Sequence, residues 1–278
     1  MENYLIAMAV SAGIYALMAL GVNVVWGFAG MAAAIAVSAI VGAIVALVTV
    51  RLRGDYLAIV TLGFAETIRI VASSAIWLTN GTDGLSGIPG PGRGTLSPAT
   101  FNLVYLGIVG VLVAAAYVVN ERLRTSPFGR VLRAIRDDEQ VAAVAGKHVT
   151  LFKVKAFAIS SGALGLAGAL YAHYTSYIAP DIFVPLLTLY IKLALLAGGL
   201  GNNRGAMVGA FAVVFLLEST RFVIPYVPDI TPVQGAAIRE FLIAALLLVM
   251  LRYKPSGLVP ETATRLPVPP APRYQPTA

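Results

Sequence analysis

The chain has 278 residues, 58% of them hydrophobic and only 12% charged, with a formal net charge of +7 and no cysteine. Several runs reach the roughly 20 apolar residues that cross a hydrocarbon core of about 30 Å, so the composition is that of an integral membrane protein and excludes a water-soluble domain. The lack of cysteine excludes disulfides, a thiolate metal site and a cysteine nucleophile.

Hydropathy predicts helices at 4–28, 33–50, 56–78, 101–119, 156–178, 186–203, 206–222 and 237–251. This is an all-α, polytopic transmembrane helical bundle of about eight spans. One transmembrane domain is expected over 1–259. The remainder, 260–278, is proline-rich and polar, and is expected to be a disordered tail. No Lys or Arg precedes the first helix, which is too long for a signal-peptide core. An even number of spans puts both termini on one side. That side then holds Arg51, Arg53, the basic residues of 120–155, Arg204, Arg252, Lys254, Arg265 and Arg273, against Arg93 alone on the other. The positive-inside rule makes it the cytoplasm and accounts for the basic charge, leaving no reason to invoke nucleic acid.

In chain order, the first polar feature is Glu66 with Arg69. An ionised residue at mid-membrane costs about 2.5–3.5 kcal/mol, and a spacing of three lets this pair share a helix face and neutralise itself. Glu218 and Arg221 repeat the pattern. Arg-Gly precedes each pair, at 53–54 and 204–205, a weak echo of two four-helix halves. Both pairs are candidate intramembrane ion pairs, fixing helix packing or lining a pathway. Lys192, Arg239 and Glu240 are read as snorkelling or interface residues. Residues 79–99, rich in Gly and Pro, are expected outside the membrane as a lid or receptor-contact loop or as an ordinary irregular connection.

The segment 120–155 is the most informative. Ser126 is placed to cap a helix that begins with Pro127; Phe128, Val131, Leu132 and Ile135 share one face, and Arg130, Arg133 and Arg136 another. Asp137 is placed to cap a second helix, with Asp138 and Glu139 at its positive end, Ala142 and Ala143 forming a small face, and Gly146 stopping it. A basic interfacial helix on anionic lipid is one reading. The acidic cluster and the Ala-Ala-x-x-Gly stretch favour docking into a protein groove. Further on, Gly162, Gly165 and Gly168, with Ser161 and Ala169, give the next helix a face for close packing. Gly198, Gly199, Gly201 and Gly205 follow a membrane helix rather than a strand, so they predict a broken helix or tight turn, not a dinucleotide loop. His148 and His173 are isolated from other ligands, so no metal, cofactor or catalytic residue is expected.

SPFGRVLRAIRDDEQVAAVAGKHVTLFKVKAFAISSGALGLAGALYAHY, from Ser126, resembles the cytoplasmic coupling loop and following helix of branched-chain amino acid permeases of ATP-binding-cassette importers, the LivM type. RLRGDYLAIVTLGFAETIRIV at 51–71, LTNGTDGLSGIPGP at 78–91, GGLGNNRGAMVGA at 198–210 and RYKPSGLV at 252–259 are similar to the same family in the same order, so the resemblance runs from Gly21 to Val259. It departs after Gly27–Met31, where the family pattern has a further glycine-rich segment and this chain continues directly into Ala32-Ala33-Ala34. The resemblance implies a transport subunit rather than an enzyme, partnered by ATP-binding cassette subunits, a second related permease, a soluble substrate-binding protein and a small-molecule substrate. No Gly-x-x-x-x-Gly-Lys-Ser/Thr motif occurs, so ATP hydrolysis falls to separate subunits. Phe128, Gly129, Arg130, Val131, Leu132, Arg133, Ala142, Ala143 and Gly146 are the expected ATPase-coupling residues. Relatives in the superfamily carry urea, short amides or other amino acids, and an ion-coupled secondary transporter using the intramembrane acids is the alternative from another class.

Overall fold

A computed structural model describes residues 27–52, 55–88, 90, 97–223, 231–254 and 256–260. The predicted helix at 4–28 and the tail from 261 onward lie outside them. Contacts divide the chain into two units, Met1–Ala194 and Leu195–Ala278.

The first unit contains α1 (Gly27–Thr49), α2 (Asp55–Ser74), the short α3 (Ile76–Thr79), α4 (Pro98–Thr125), α5 (Pro127–Asp137), α6 (Glu139–Val144) and α7 (Val149–Thr175). A helix α8 (Pro185–Gly198) leads from it into the second unit, which holds α9 (Asn203–Val223) and α10 (Pro232–Tyr253). Five helices among the described residues are long and apolar enough to cross a membrane: those at Ala29–Thr49, Tyr56–Ser74, Pro98–Thr125, Val149–Thr175 and Val233–Met250. The span expected at 186–203 is shorter than predicted. Its helix stops at Gly198 after 14 residues, about 21 Å of rise, because the glycines that follow leave the helical conformation.

The tightest packing joins α1 to α7. Their buried faces are Ala34, Ser38, Gly42, Val45, Ala46 and Thr49 on one helix and Phe157, Ser161, Gly162, Gly165, Gly168 and Ala172 on the other. A Cβ added at Gly42 would overlap the Ser161 hydroxyl, and one at Gly165 would overlap Ser38 Oγ and the Ala34 carbonyl. Lipid tails are as apolar as Leu, so helix association in a membrane comes from such close van der Waals contact. Hydroxyls on α1 and α2 turn onto their own backbone: Thr49 Oγ1 donates to the Val45 carbonyl and Thr61 Oγ1 to the Leu57 carbonyl, both at 2.7 Å.

A cap closes the far end of α2 and α7. Thr79 Oγ1 donates to the Ala72 and Ala75 carbonyls, and Asn80 turns the chain in the left-handed region with φ 61°. Strand β1 (Leu85–Ser86) then pairs antiparallel with β2 (Tyr177–Ile178), Leu85 opposite Ile178. Within the stretch 79–99, expected to be a lid, a receptor-contact loop or an irregular connection, residues Gly81–Asp83 form a 3-10 turn and Leu85–Ser86 a short strand. Gly84, at φ +68°, lies so close to the Ile178 carbonyl that no side chain fits. Ala65, Ala72 and Phe183 form a small core beneath, with Ile68, Ile178, Ile182, Leu187 and Ile191 packed on it.

In the second unit, Gly199 (φ +121°) and Gly201 (φ +80°) make the turn between α8 and α9, with Gly198 and Gly205 in backbone contact. The segment after α10 covers this turn: Leu258 N–H donates to the Ala197 carbonyl and Val259 N–H to the Gly198 carbonyl, both at 2.9 Å, and Asn202 Nδ2 donates to the Pro260 carbonyl at 3.1 Å.

Candidate functional site

The polar elbow between α4 and α7 is built by local chemistry. Ser126 adopts extended geometry (φ −69°, ψ 167°), and its hydroxyl accepts from the Gly129 N–H at 3.3 Å, while Pro127 starts α5. Gly129 is buried in this turn. A side chain there would collide with the Leu123 and Arg124 carbonyls, so its role is to let α5 fold back against the end of α4. The open carbonyls at that end are met from α5: Arg133 donates to the Arg124 carbonyl at 2.8 Å and Arg130 to the Thr125 carbonyl at 3.3 Å.

Asp138, rather than the expected Asp137, caps α6, its carboxylate accepting from Gln140 N–H at 2.8 Å and Val141 N–H at 3.0 Å. Asp137 closes α5 and pairs with Arg136 at 3.3 Å. Helix α6 ends in a Schellman motif: Lys147 N–H reaches the Ala142 carbonyl at 3.2 Å, Gly146 N–H reaches Ala143 at 3.0 Å, and Gly146 sits at φ +76°. Lys153 on α7 bonds Glu139 at 2.8 Å, and Phe128 stacks on Phe152 with ring centroids 5.5 Å apart. The elbow is thus tied to α7 at both of its helices.

The expected coupling residues divide between two roles. Phe128, Val131, Leu132 and Arg133 are half-buried, and Gly129, with Ile135, is buried, so the apolar face of α5 turns toward the chain itself. Arg130 and Gly146 are exposed. Ala142 is buried at 4% while Ala143 is exposed, so they form no common small face, as successive helical residues point in different directions. Sequence reasoning missed the outward apolar pair Val141 and Val144, 64% and 90% exposed. Their spacing of three puts them on one face, but nothing local in the sequence says whether that face is covered.

Within α2, Arg69 Nε donates to both Glu66 carboxylate oxygens at 3.0 Å, and a terminal nitrogen lies 2.5 Å from Oε1. The same guanidinium reaches Asp181 at 3.5 Å. Asp181 was not singled out in the sequence, since nothing local links it to α2. Glu218 is exposed on α9, and the Arg221 side chain lies outside the described residues. No group of three or more His, Asp or Glu among the described residues could hold a metal ion.

The family described as branched-chain amino acid transport system / permease component matches residues 28–251. The chain belongs to this family. It is 33% identical over 232 residues to a probable branched-chain amino acid transport permease protein LivM of Methanocaldococcus jannaschii, covering 80% of this chain and 65% of that protein. The high-affinity branched-chain amino acid transport system permease protein LivM of Salmonella typhimurium is 30% identical over 253 residues, 83% of this chain and 56% of the relative. A ribose import permease protein of Haemophilus influenzae is 26% identical over 162 residues, 56% of this chain and 43% of that protein. The chain thus spans between about half and two thirds of the LivM relatives' length. No solved structure matches. Family membership and the apolar helices agree on an all-α integral membrane permease component.

Proposed function

We propose that the chain is the permease subunit of an ATP-binding-cassette importer that moves branched-chain amino acids across the cell inner membrane. Its partners in this reading are ATP-binding cassette subunits at the elbow, a second related permease beside it, and a soluble substrate-binding protein on the opposite face. The subunit itself performs no catalysis. Both termini and residues 120–155 are cytoplasmic, and 79–99 is external.

The observation that carries the reading is the elbow's division of labour. A helix resting on lipid turns its apolar face outward to the bilayer. Here Phe128 on the apolar face of α5 stacks on Phe152 of α7, while Val141 and Val144 stand out on the capped helix α6, and Arg130 on α5 is exposed. A small exposed apolar knob on an ordered turn suits a groove on a protein partner. Because α7 continues the elbow directly into a 27-residue helix, a push on Val141 and Val144 moves a membrane-spanning element.

The test is reconstitution. The complete assembly in proteoliposomes should accumulate leucine only with ATP and the loaded binding protein; accumulation by this chain alone, driven by a proton gradient, would establish an ion-coupled carrier instead. With no native cysteine in the chain, Ser126→Cys should be labelled by an impermeant thiol reagent in inside-out vesicles and not in intact cells. Labelling from outside would reverse the topology.

A further inference from the structure

The elbow meets α7 across a short link. Between Val144 and Val149 lie Ala145, Gly146, Lys147 and His148, and His148 begins α7 without a side-chain cap bond. Gly146 sits at φ +76°, and among the described residues nothing lies within 4 Å of a Cβ added there. The Schellman hydrogen bonds fix how α6 stops, but not the direction that α7 takes from it. A glycine in open space is where a push on α6 would be absorbed as backbone rotation, leaving α7 where it was.

Two contacts bridge that link. Lys153, in the second turn of α7, bonds Glu139 at the start of α6 at 2.8 Å, and Phe152 beside it stacks on Phe128 at the start of α5. The Lys153 and Glu139 side chains are 15% and 27% exposed, so salt screens this pair less than one standing in open water. With the covalent link as one side, the ties close a frame that bending at Gly146 would have to break. The frame leads inward: Phe157, one turn beyond Lys153, is buried against Ala46 of α1. Motion of α6 therefore has a continuous packed route into the α1–α7 seam.

We propose that Glu139, Lys153, Phe128 and Phe152 are positioning residues for coupling: they hold the elbow rigid to α7, so that a displacement of Val141 and Val144 by the ATPase moves the spanning helix instead of bending the link. The assignment rests on the importer reading above and deepens it, placing Phe128 in the transmission inside this chain and not in the contact with the partner. The caps at Ser126 and Asp138 keep each short helix formed without these ties, so losing one tie loosens the elbow and leaves it folded.

The experiment uses the complete reconstituted importer with leucine-loaded binding protein and measures leucine transported per ATP hydrolysed. Lys153→Gln should lower that ratio by about threefold or more while the ATPase still co-purifies at the wild-type level. Lys153→Arg, which keeps the charge, should retain most of the wild-type ratio. Glu139→Gln should match Lys153→Gln, and the two together should fall no further than either alone, since both remove the same tie. An unchanged ratio in Lys153→Gln, an equal loss in Lys153→Arg, a fall of uptake and hydrolysis in step, or effects of the two substitutions that multiply would mean that the pair serves folding or docking alone, and would overturn the proposal. A wild-type assembly that imports no amino acid at all would instead overturn the importer reading, so the two failures are distinguishable.

Discussion

The α1–α7 seam and the polar elbow solve opposite problems with opposite materials. In the seam, Gly42, Gly162 and Gly165 let the facing helix come close, meeting Ser161, Ile35 and Ser38 with the Ala34 carbonyl, because burying more apolar surface against lipid-like neighbours gains little. In the elbow, water competes for every polar group, and order comes from a Ser cap, an Asp cap, a Schellman glycine, an ion pair and an aromatic stack. The seam depends on shape and tolerates no added atoms. The elbow depends on directional contacts that are individually replaceable.

This contrast breaks most readily at Gly165. Gly165→Leu should cost more than about 3 kcal/mol by overpacking against Ser38 and the Ala34 carbonyl, lowering thermal stability in detergent and the yield of folded protein. A well-folded Gly165→Leu variant would show the helices are held by something other than close contact. At Gly146 the space is open, with nothing within 4 Å of an added Cβ, and only the φ of +76° objects. Gly146→Val should therefore cost about 1–2 kcal/mol locally, and the protein should insert normally yet recover less ATPase on co-purification and lose uptake.

A third measurement sits between the two regimes, at the half-buried Glu66–Arg69 pair. Glu66→Gln alone should destabilise more than Glu66→Gln with Arg69→Gln, with a coupling of about 1 kcal/mol in a double-mutant cycle. Additive effects would show that the two do not compensate each other. The smallest effect is expected on the elbow surface: Arg130→Glu should leave folding within about 0.5 kcal/mol of wild type. It should still weaken ATPase recovery, increasingly so at low salt, where the reversed charge is least screened. Unchanged recovery and uptake in both elbow variants would mean that the elbow rests on lipid.

What could be read from the sequence was what is local. Ser126, Pro127 and Gly146 act within four residues of themselves, and the glycine face of α7 follows from helical period alone. The Ala142 and Ala143 face failed because periodicity says which residues share a side but not which side the rest of the chain covers. Asp137 and Asp138 are both plausible caps, and only the backbone at the end of α5 chooses between them. Non-local partners left no trace: Phe152 opposite Phe128, Asp181 opposite Arg69, and the two-residue β ladder each join segments separated by loops or whole helices. For the candidate site this means that the capping framework was legible, while the outward valines and the third charge of the cap were not.

The closure over the α8–α9 turn has a consequence for biosynthesis. Val259 donates to the carbonyl of Gly198, and Leu258 to that of Ala197, residues made some sixty positions earlier. Until residues 258–260 have been synthesised, those acceptors lack these donors, so the turn is completed by nearly the last of the described residues. A chain cut before Leu258 would leave the Ala197 and Gly198 carbonyls without these donors.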